Sequence, residues 1–256
     1  MRVQLCSDDV ALGAEVAREA ARLLREAVQR QGTARLLLST GRSQFTTLAA
    51  LVREAVPWKA VEAFHLDEYI GLGPEHPASF RRYLRERFSS RVDLGAMHEV
   101  APEGDLAAAL ARLEAELRLA PVDVALVGVG ENGHIAFNDP PADFETDESY
   151  ITVSLAPSCR RQQVGEGWFR GVEEVPERAV TMTVRRVMAS RAILSAVPYA
   201  VKAEAVRSLL QGEVTPQVPA SILRWHPQAV LYLDRESSAL VDPRVLARHR
   251  READQG

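Results

Sequence analysis

The sequence lacks the features of several large classes of protein. Its 256 residues include only two cysteines, Cys6 and Cys159, which lie far apart and do not have the spacing of metal ligands. No run approaches the roughly 18 apolar residues of a membrane-spanning helix, and no signal peptide is visible after Met1. We therefore expect a cytoplasmic protein with reduced thiols and no membrane partner.

The charged residues and the glycines exclude further classes. The net charge is -4, and the basic residues are scattered rather than clustered, which argues against a general nucleic-acid binder. There is no P-loop and no Rossmann glycine fingerprint, so no nucleotide or dinucleotide is implied. We expect no cofactor, no metal ion and no nucleic-acid partner.

What the sequence does contain is a regular alternation of short apolar runs and amphipathic segments. This alternation predicts an α/β fold with a single doubly wound, mostly parallel sheet and helices on both faces. Residues 1–241 are expected to form one domain, and residues 242–256 an exposed C-terminal tail. The predicted strands are Arg35–Ser39, Val61–Leu66, Val124–Val127, Arg191–Val197 and Ala229–Leu233. The predicted helices run from Asp8 or Asp9 to Gly32, through Leu48–Val52, over Ala78–Phe88, over Asp105–Leu119 and over Ala200–Leu210.

The loop after the strand Val124–Val127 is the most informative segment. It opens with Gly128 and Gly130 and carries His134, two asparagines and Asp139 within a few residues. Ligands bind at the carboxyl ends of strands in open α/β sheets. A single histidine in a loop is more often a solvated side chain, but the neighbouring glycines, amides and carboxylate favour a functional site.

Two other strands also end in polar residues. Val61–Leu66 leads into Asp67 and Glu68, and two acids at the mouth of a buried strand are costly unless they are exposed, paired or useful. A helix cap or a turn is the alternative. The strand Arg35–Ser39 leads into a hydroxyl-rich loop before a helix, which suits an anion, although taken alone it is more often a simple capping turn.

Two of these segments together resemble the glucosamine-6-phosphate deaminase/isomerase family, whose superfamily also contains 6-phosphogluconolactonases. The matching segments are Leu66–Leu72 and Gly128–Asn138, and the resemblance extends from about Leu36 to Asp234. The lactonase branch typically has Arg at the position of Tyr69 and Thr-Ala-Ser after the Gly-His pair. Tyr69 and the Ile-Ala-Phe-Asn that follows His134 therefore favour the amino-sugar branch.

The resemblance implies a role for each matching residue. Asp67 corresponds to the base that moves a proton between C2 and C1, and His134 to the residue that assists ring opening. The family orients this histidine with two acids, where this chain has Asn132 and Asp139, so at most one local carboxylate supports it. The residues implied in substrate binding are Ser39, Thr40, Gly41, Arg42, Ser43, Gly130 and Lys202.

The chain departs from the family pattern at the phosphate end. The family's phosphate arginine would lie shortly before Trp168, where this chain has no arginine and instead has Glu166 between two glycines. Arg160 and Arg161 are the remaining candidates. Val197-Pro198 replaces the usual Ser-Gly before Lys202, and Gln44 replaces a proline in the hydroxyl-rich loop. The sequence supports no catalytic role for Glu68, which either binds sugar hydroxyls or pairs with a cation. We expect His65 and His76 to be structural or solvated.

The sequence therefore predicts an aldose–ketose isomerase/deaminase. Its expected substrate is an amino-sugar 6-phosphate, glucosamine 6-phosphate first, and its products are a ketose 6-phosphate and ammonia. A lactonase-type hydrolase would use the same fold and loops, and a non-catalytic sugar-phosphate sensor would share the fold without needing Asp67. The oligomeric state is open, with a homo-oligomer as one option.

Overall fold

The computed structural model describes residues 1–251, and its centre is a seven-stranded sheet in which every neighbouring pair is parallel. This sheet confirms the predicted fold class. In spatial order its strands are β1 (Arg2–Leu5), β10 (Ala229–Leu233), β9 (Ala192–Val197), β6 (Val124–Val127), β2 (Ala34–Leu38), β3 (Val61–His65) and β5 (Ala96–His98). The five strands predicted from the sequence are all present, and their ends agree within one residue. Residues in β1 and β5 had not been assigned to strands.

Helices connect these strands, and five of them lie at the predicted places, whereas α5 and α6 were not predicted. Asp8 caps the first of them by accepting a hydrogen bond from the backbone N–H of Ala11 at 2.8 Å, and the helix ends before Gly32, as predicted. The helices are α1 (Asp9–Gln31), α2 (Phe45–Leu51), α3 (Phe80–Leu84), α4 (Leu106–Leu119), α5 (Pro157–Gly165), α6 (Val184–Met188), α7 (Ala203–Gln211) and α8 (Pro243–Arg251). A π-helical turn, Arg85–Ser89, continues α3, and a 3₁₀ turn, Ala200–Lys202, precedes α7.

The strands bury side chains on both faces of the sheet. In β2, Leu36 and Leu38 pack beneath α1 and α2, whereas Leu37 packs on the opposite face with residues of α4, α6 and α7. All three leucines are fully buried, and burying such a side chain contributes about 1.5–3 kcal/mol. The near-continuous apolar runs in the sequence follow from this coverage of both faces.

The order of the strands reverses between β2 and β6. The chain passes from β2 outwards to β3 and β5, and from β6 outwards in the other direction to β9 and β10. The loops that leave the carboxyl ends of β2 and β6 therefore diverge to opposite sides. A crevice opens at such a point, and ligands in open α/β sheets bind there.

A second, antiparallel sheet lies beside the first and was not predicted, so the expectation of a single sheet was incomplete. Its strands, in spatial order, are β4 (Asp67–Tyr69), β8 (Arg178–Met182) and β7 (Tyr150–Ser154). Strand β4 has only three residues, too few to show alternation, and it begins with two acids, which are rare in strands. Its antiparallel pairing with β8, from Asp67 opposite Thr181 to Tyr69 opposite Ala179, makes this segment a strand.

Aromatic side chains, which are scarce in this sequence, gather under the small sheet. Tyr69 is fully buried, with its ring centroid 4.9 Å from that of Phe80, 5.2 Å from that of Phe137 and 5.6 Å from that of Phe169. Such ring contacts stabilise beyond the area they bury. The cluster packs β4 against the loop that carries His134, so it fixes the two family-like segments relative to each other.

The end of the chain is partly described. Pro243–Arg251 forms α8, and the half-buried side chains of Val245 and Leu246 pack against the core on one face of the main sheet. Residues 252–256, which belong to the predicted tail, lie outside the described residues. The domain boundary at residue 241 stays a prediction.

Glu68 is a structural residue of β4. Its carboxylate is fully buried and accepts hydrogen bonds from the backbone N–H groups of Tyr69, Phe80 and Arg81 and from the Ser79 hydroxyl, at 2.8–3.2 Å. The Arg81 guanidinium lies 3.5 Å away. Burial raises the pKa of Glu68 despite these hydrogen bonds. Of the two roles considered from the sequence, pairing with a cation is the one that the structure supports.

We expect Glu68→Gln to destabilise the protein by about 3 kcal/mol, because its amide group would face N–H donors and leave Arg81 without its buried partner. Urea denaturation measures this loss. The matched control is Glu86→Gln, since Glu86 is an exposed partner of Arg82 at 2.7 Å, and its urea midpoint should stay at the parent value. Equal midpoints for the Glu68 variant and the parent would contradict the structural role.

Candidate active site

One pocket at the carboxyl edge of the main sheet collects most of the predicted site residues. Strands β2, β3, β6 and β9 each end at this edge, and the residues after each strand form part of the pocket wall. Arg42 is exposed and does not line the pocket. Asn132 and Asp139 lie behind His134 rather than on the wall. The predicted residues that line the pocket are Ser39, Thr40, Gly41, Ser43, Asp67, Gly130, His134 and Lys202.

Asp67 presents a buried carboxyl group to this pocket. Its backbone is held by the pairing of β4 with β8, and its side chain is 4% exposed. Within residues 1–251, Oδ1 has no hydrogen-bond partner. Burial, and then the nearby carboxylate of Glu68, raise the pKa of Asp67 well above its ordinary value. A carboxyl group with a raised pKa is suited to take up and return a proton.

The imidazole of His134 lies so close to the backbone at position 130 that this residue must be a glycine. A Cβ atom at Gly130 would lie 2.2 Å from the imidazole ring. The backbone N–H of Gly130 also donates to the carbonyl of His134 at 2.9 Å, which closes the loop around the ring. Gly130 therefore shapes the site by having no side chain.

Asp139 is the carboxylate partner of His134. Its Oδ1 lies 3.3 Å from the imidazole Nδ1, within the distance of an ion pair but without the alignment of a hydrogen bond. Its Oδ2 accepts a hydrogen bond from the backbone N–H of Ala156 at 3.2 Å. Burial works against the charge, but the contacts with His134, Asn132 and Ala156 prevail and lower the pKa of Asp139.

Asn132 joins these two residues as a neutral bridge. Its Nδ2 donates to Asp139 Oδ1 at 2.9 Å, and its Oδ1 accepts from the backbone N–H of His134 at 3.2 Å. A carboxylate at this position would face another carboxylate and could not donate this hydrogen bond. The asparagine therefore holds Asp139 towards the histidine without adding charge.

His134, Asp139 and Cys159 have potential metal-ligand atoms within 4.8 Å of one another. A thiol binds a metal ion as the thiolate. Burial, together with the nearby carboxylate of Asp139, raises the pKa of Cys159 and so favours the neutral thiol. The chemistry of this set fits the packing of α5 behind the histidine better than it fits a metal centre.

The loop after β2 forms the opposite end of the pocket. Ser39 is buried there, and its hydroxyl has no partner within residues 1–251. Gln44, at the position of the family's proline, donates from Nε2 to Ser43 Oγ at 3.0 Å and to the carbonyl of Ala196 at 3.3 Å. These bonds attach the loop to β9, so the substitution keeps the loop in place by hydrogen bonds.

Lys202 supplies positive charge at this end. It is 5% exposed, and it is the one lysine or arginine among the described residues that line the pocket. No ion pair or hydrogen bond engages its ammonium group within residues 1–251. Burial lowers the pKa of Lys202, and the carboxylates of Glu166 and Glu131 oppose this shift. An anionic substrate group would give the ammonium a partner.

Helix α5 contributes pocket residues that sequence reasoning missed. Gln163 accepts a hydrogen bond from the Tyr69 hydroxyl at 2.8 Å, and Gln162 accepts one from the backbone N–H of Glu131 at 3.1 Å. The two glutamines thus link both family-like segments, and both line the pocket. In the sequence, only their position beside the candidate arginines pointed to a place in the site. Glutamines on a short polar helix have no distinctive pattern.

Several residues considered from the sequence lie elsewhere. Arg160 donates to the carbonyls of Val172 and Val175 at 2.6 and 3.0 Å, and Arg161 is exposed. Neither lines the pocket. His65 is buried in β3, where burial lowers its pKa to about 3, and His76 is exposed and accepts a hydrogen bond from a backbone N–H. These two histidines are placed as expected, away from the pocket.

Comparison with known proteins agrees with this geometry. Residues 7–232 match the family model for glucosamine-6-phosphate isomerases/6-phosphogluconolactonase. A glucosamine-6-phosphate deaminase of Geobacillus sp. is 34% identical over 235 residues, which cover 89% of this chain and 92% of that protein. Glucosamine-6-phosphate deaminase 1 of Bacillus subtilis is 32% identical over 234 residues, covering 88% of this chain and 95% of the relative.

Solved structures give the same result. A monomeric glucosamine-6-phosphate deaminase superposes with a TM-score of 0.85 at 30% identity and covers 94% of this chain and all of its own. A 6-phosphogluconolactonase from Thermotoga maritima shares the fold with a TM-score of 0.74 at 19% identity, over 91% of this chain and 98% of its own. The chain therefore belongs to the family of glucosamine-6-phosphate isomerases and 6-phosphogluconolactonases.

Proposed function

We propose that this protein is an aldose–ketose isomerase/deaminase of amino-sugar phosphates. Its first candidate substrate is glucosamine 6-phosphate, converted to a ketose 6-phosphate and ammonia. One observation carries the proposal: the carboxyl group of Asp67 and the imidazole of His134 line the same pocket, which Lys202 also lines. The names of the relatives at 30–34% identity support it.

Each step of the reaction has a suitable group. His134, backed by Asp139, donates and accepts the proton that opens the sugar ring. Asp67 takes the C2 proton and returns it to C1 while O1 gains a proton and the amino group loses one, which converts the 2-amino aldose into a 2-imine with a C1 hydroxyl. Water then hydrolyses the imine to the ketose and releases ammonia. A single carboxylate serves both carbons because C1 and C2 are adjacent.

Two alternatives follow from the same fold. A lactonase would use the pocket to hydrolyse 6-phosphogluconolactone, but the lactonase structures are at most 19% identical to this chain and support the fold alone. A sensor would have no need for a buried carboxyl such as Asp67. Ammonia released from glucosamine 6-phosphate supports our proposal, whereas acid released from the lactone supports the hydrolase and binding without turnover supports the sensor.

The cellular context belongs to the same proposal. A cytoplasmic location is supported by Cys6 and Cys159, which are both unpaired. No helix in the described part of the chain is long and apolar enough to cross a membrane. A homo-oligomer stays a prediction, and one similar deaminase of known structure is monomeric.

We expect Asp67→Asn to reduce exchange of the C2 hydrogen with solvent by about 10²-fold or more, because it removes the base and preserves its shape. Proton NMR of glucosamine 6-phosphate in D₂O measures this exchange. Thermal unfolding of the variant checks that the fold is intact. Exchange at the parent rate in a folded variant would exclude Asp67 as the base.

The raised pKa of Asp67 predicts the acid side of the pH profile. The base must be ionised, and its pKa lies well above 3.8, so kcat/KM should fall as pH decreases through a midpoint well above that value. Initial-rate measurements between about pH 4 and 9 would locate the midpoint. A profile that stays flat down to pH 4 would mean that a different group takes the proton.

The hydrogen bond from Asn132 to Asp139 predicts the effect of a second acid at position 132. Asn132→Asp should raise the pKa of Asp139 by about one unit or more, since two carboxylates would then meet where a 2.9 Å hydrogen bond existed. Carbon-13 NMR of the Asp139 carboxyl group measures this shift. Asn132→Ser is the control for loss of the amide alone, and it should raise the pKa by less. Equal values in both variants would show that the new carboxylate faces away.

A further inference from the structure

Glu166 places a carboxylate at the end of the pocket where the family resemblance implies a phosphate. It follows α5, between two glycines, and lines the same pocket as Gly41 and Lys202, where its charge acts on the Lys202 ammonium. A Cβ atom at Gly41 would lie 3.7 Å from Glu166 Oε2. An acid therefore lies beside the loop and the lysine that are expected to hold an anion.

Hydrogen bonds fix the position of this carboxylate. Gln162 Nε2 donates to Oε1 at 2.8 Å, and Trp168 Nε1 donates to Oε2 at 3.1 Å. The indole of Trp168 packs edge-on against the rings of Phe45 and Tyr83, with centroids 6.3 and 6.1 Å apart. With a donor on each oxygen and a packed indole behind it, Glu166 keeps its charge facing this part of the pocket.

The resulting wall has one charge of each sign. Lys202 is positive, Glu166 is negative, and Arg42 is exposed outside the pocket. A phosphate dianion offers only acceptors, so it can accept from Lys202 but meets like charge at Glu166. A hydroxyl group can accept from the ammonium and donate to the carboxylate at the same time. One charge of each sign therefore matches a neutral hydroxyl better than a dianion.

We propose that Glu166 is a specificity residue that extends this enzyme's activity to unphosphorylated amino sugars, at the expense of affinity for the phosphate ester. The free hydroxyl of the sugar would lie between Lys202 and Glu166. Ring opening and proton transfer proceed on His134 and Asp67 as before, so this inference rests on the proposed function. It adds a second class of substrate, the amino sugar without phosphate.

The test compares kcat/KM for glucosamine and glucosamine 6-phosphate, from ammonia release, in the parent and in Glu166→Gln. We expect the parent to release ammonia from both sugars. In the variant, kcat/KM should rise about tenfold for the phosphate ester, mainly through a lower KM, and fall about tenfold for the free sugar. A tenfold change is the effect expected of one charge contact. A purely structural role for Glu166 would instead lower both values together.

Glu131→Gln is the matched control. Glu131 also acts on Lys202 through its charge, but its side chain is exposed and does not line the pocket. The same loss of charge there should change the ratio of the two kcat/KM values by about twofold or less, because solvent screens it. A change as large as that in Glu166→Gln would assign the effect to net charge and overturn direct contact.

Calorimetry with inorganic phosphate gives a readout that does not depend on turnover. Phosphate should bind Glu166→Gln about tenfold more tightly than the parent. If neither sugar releases ammonia or exchanges its C2 hydrogen, the proposed function fails, and the calorimetry still tests Glu166. Equal phosphate affinities, or a parent that releases ammonia only from the phosphate ester, would overturn the inference.

Discussion

The parallel pairing of β2 with β6 is the constraint on which the rest of the structure depends. The chain leaves these two strands in opposite directions, so their carboxyl ends border a crevice with no covering connection. The hydroxyl-rich loop after β2 and the glycine-rich loop after β6 meet there. Strands β3 and β9 lie on either side of this pair and bring Asp67 and Lys202 to the same edge.

The pocket retains polar groups that a core designed for stability would pair or remove. Asp67 Oδ1, Ser39 Oγ and His134 Nδ1 are buried without hydrogen-bond partners among the described residues. Buried polar groups without a hydrogen-bond partner are exceptions in folded proteins, and each one needs an explanation. Glu68, one residue from Asp67, is fully hydrogen-bonded instead. The contrast separates the acid that supports the fold from the acid that is available for chemistry.

The departures from the family pattern change the charge and the hydrogen bonding of the site. Asn132 supports Asp139 with a hydrogen bond and no charge, and Gln44 anchors the hydroxyl-rich loop by its amide. Glu166 brings a negative charge to the pocket, and no arginine among residues 1–251 lines it. This pocket is therefore less cationic than the resemblance implied, while the groups proposed for proton transfer are retained.

Much of the fold and the centre of the site could be predicted from the sequence because their signals are local. Apolar runs such as Val124–Val127 mark strands buried on both faces, and the polar residues that follow them mark the carboxyl edge of the sheet. Asp67, His134 and the residues after β2 were found in this way, with the resemblance supplying their expected roles. Asp8 and Gly32 gave the two ends of α1 for the same reason, since helix caps depend on adjacent residues.

The tertiary structure decided what depends on distant contacts. Strand β4 exists because it pairs with β8, and Gln163 lies in the pocket wall while accepting a hydrogen bond from Tyr69. The presence of Glu166 and Lys202 in one pocket likewise joins the residue that follows α5 with the turn before α7. Short polar segments carry no periodicity from which such contacts follow. The sequence by itself therefore determined five of the seven strands in the main sheet and indicated the candidate base and histidine, whereas packing between distant segments determined the charge of the pocket.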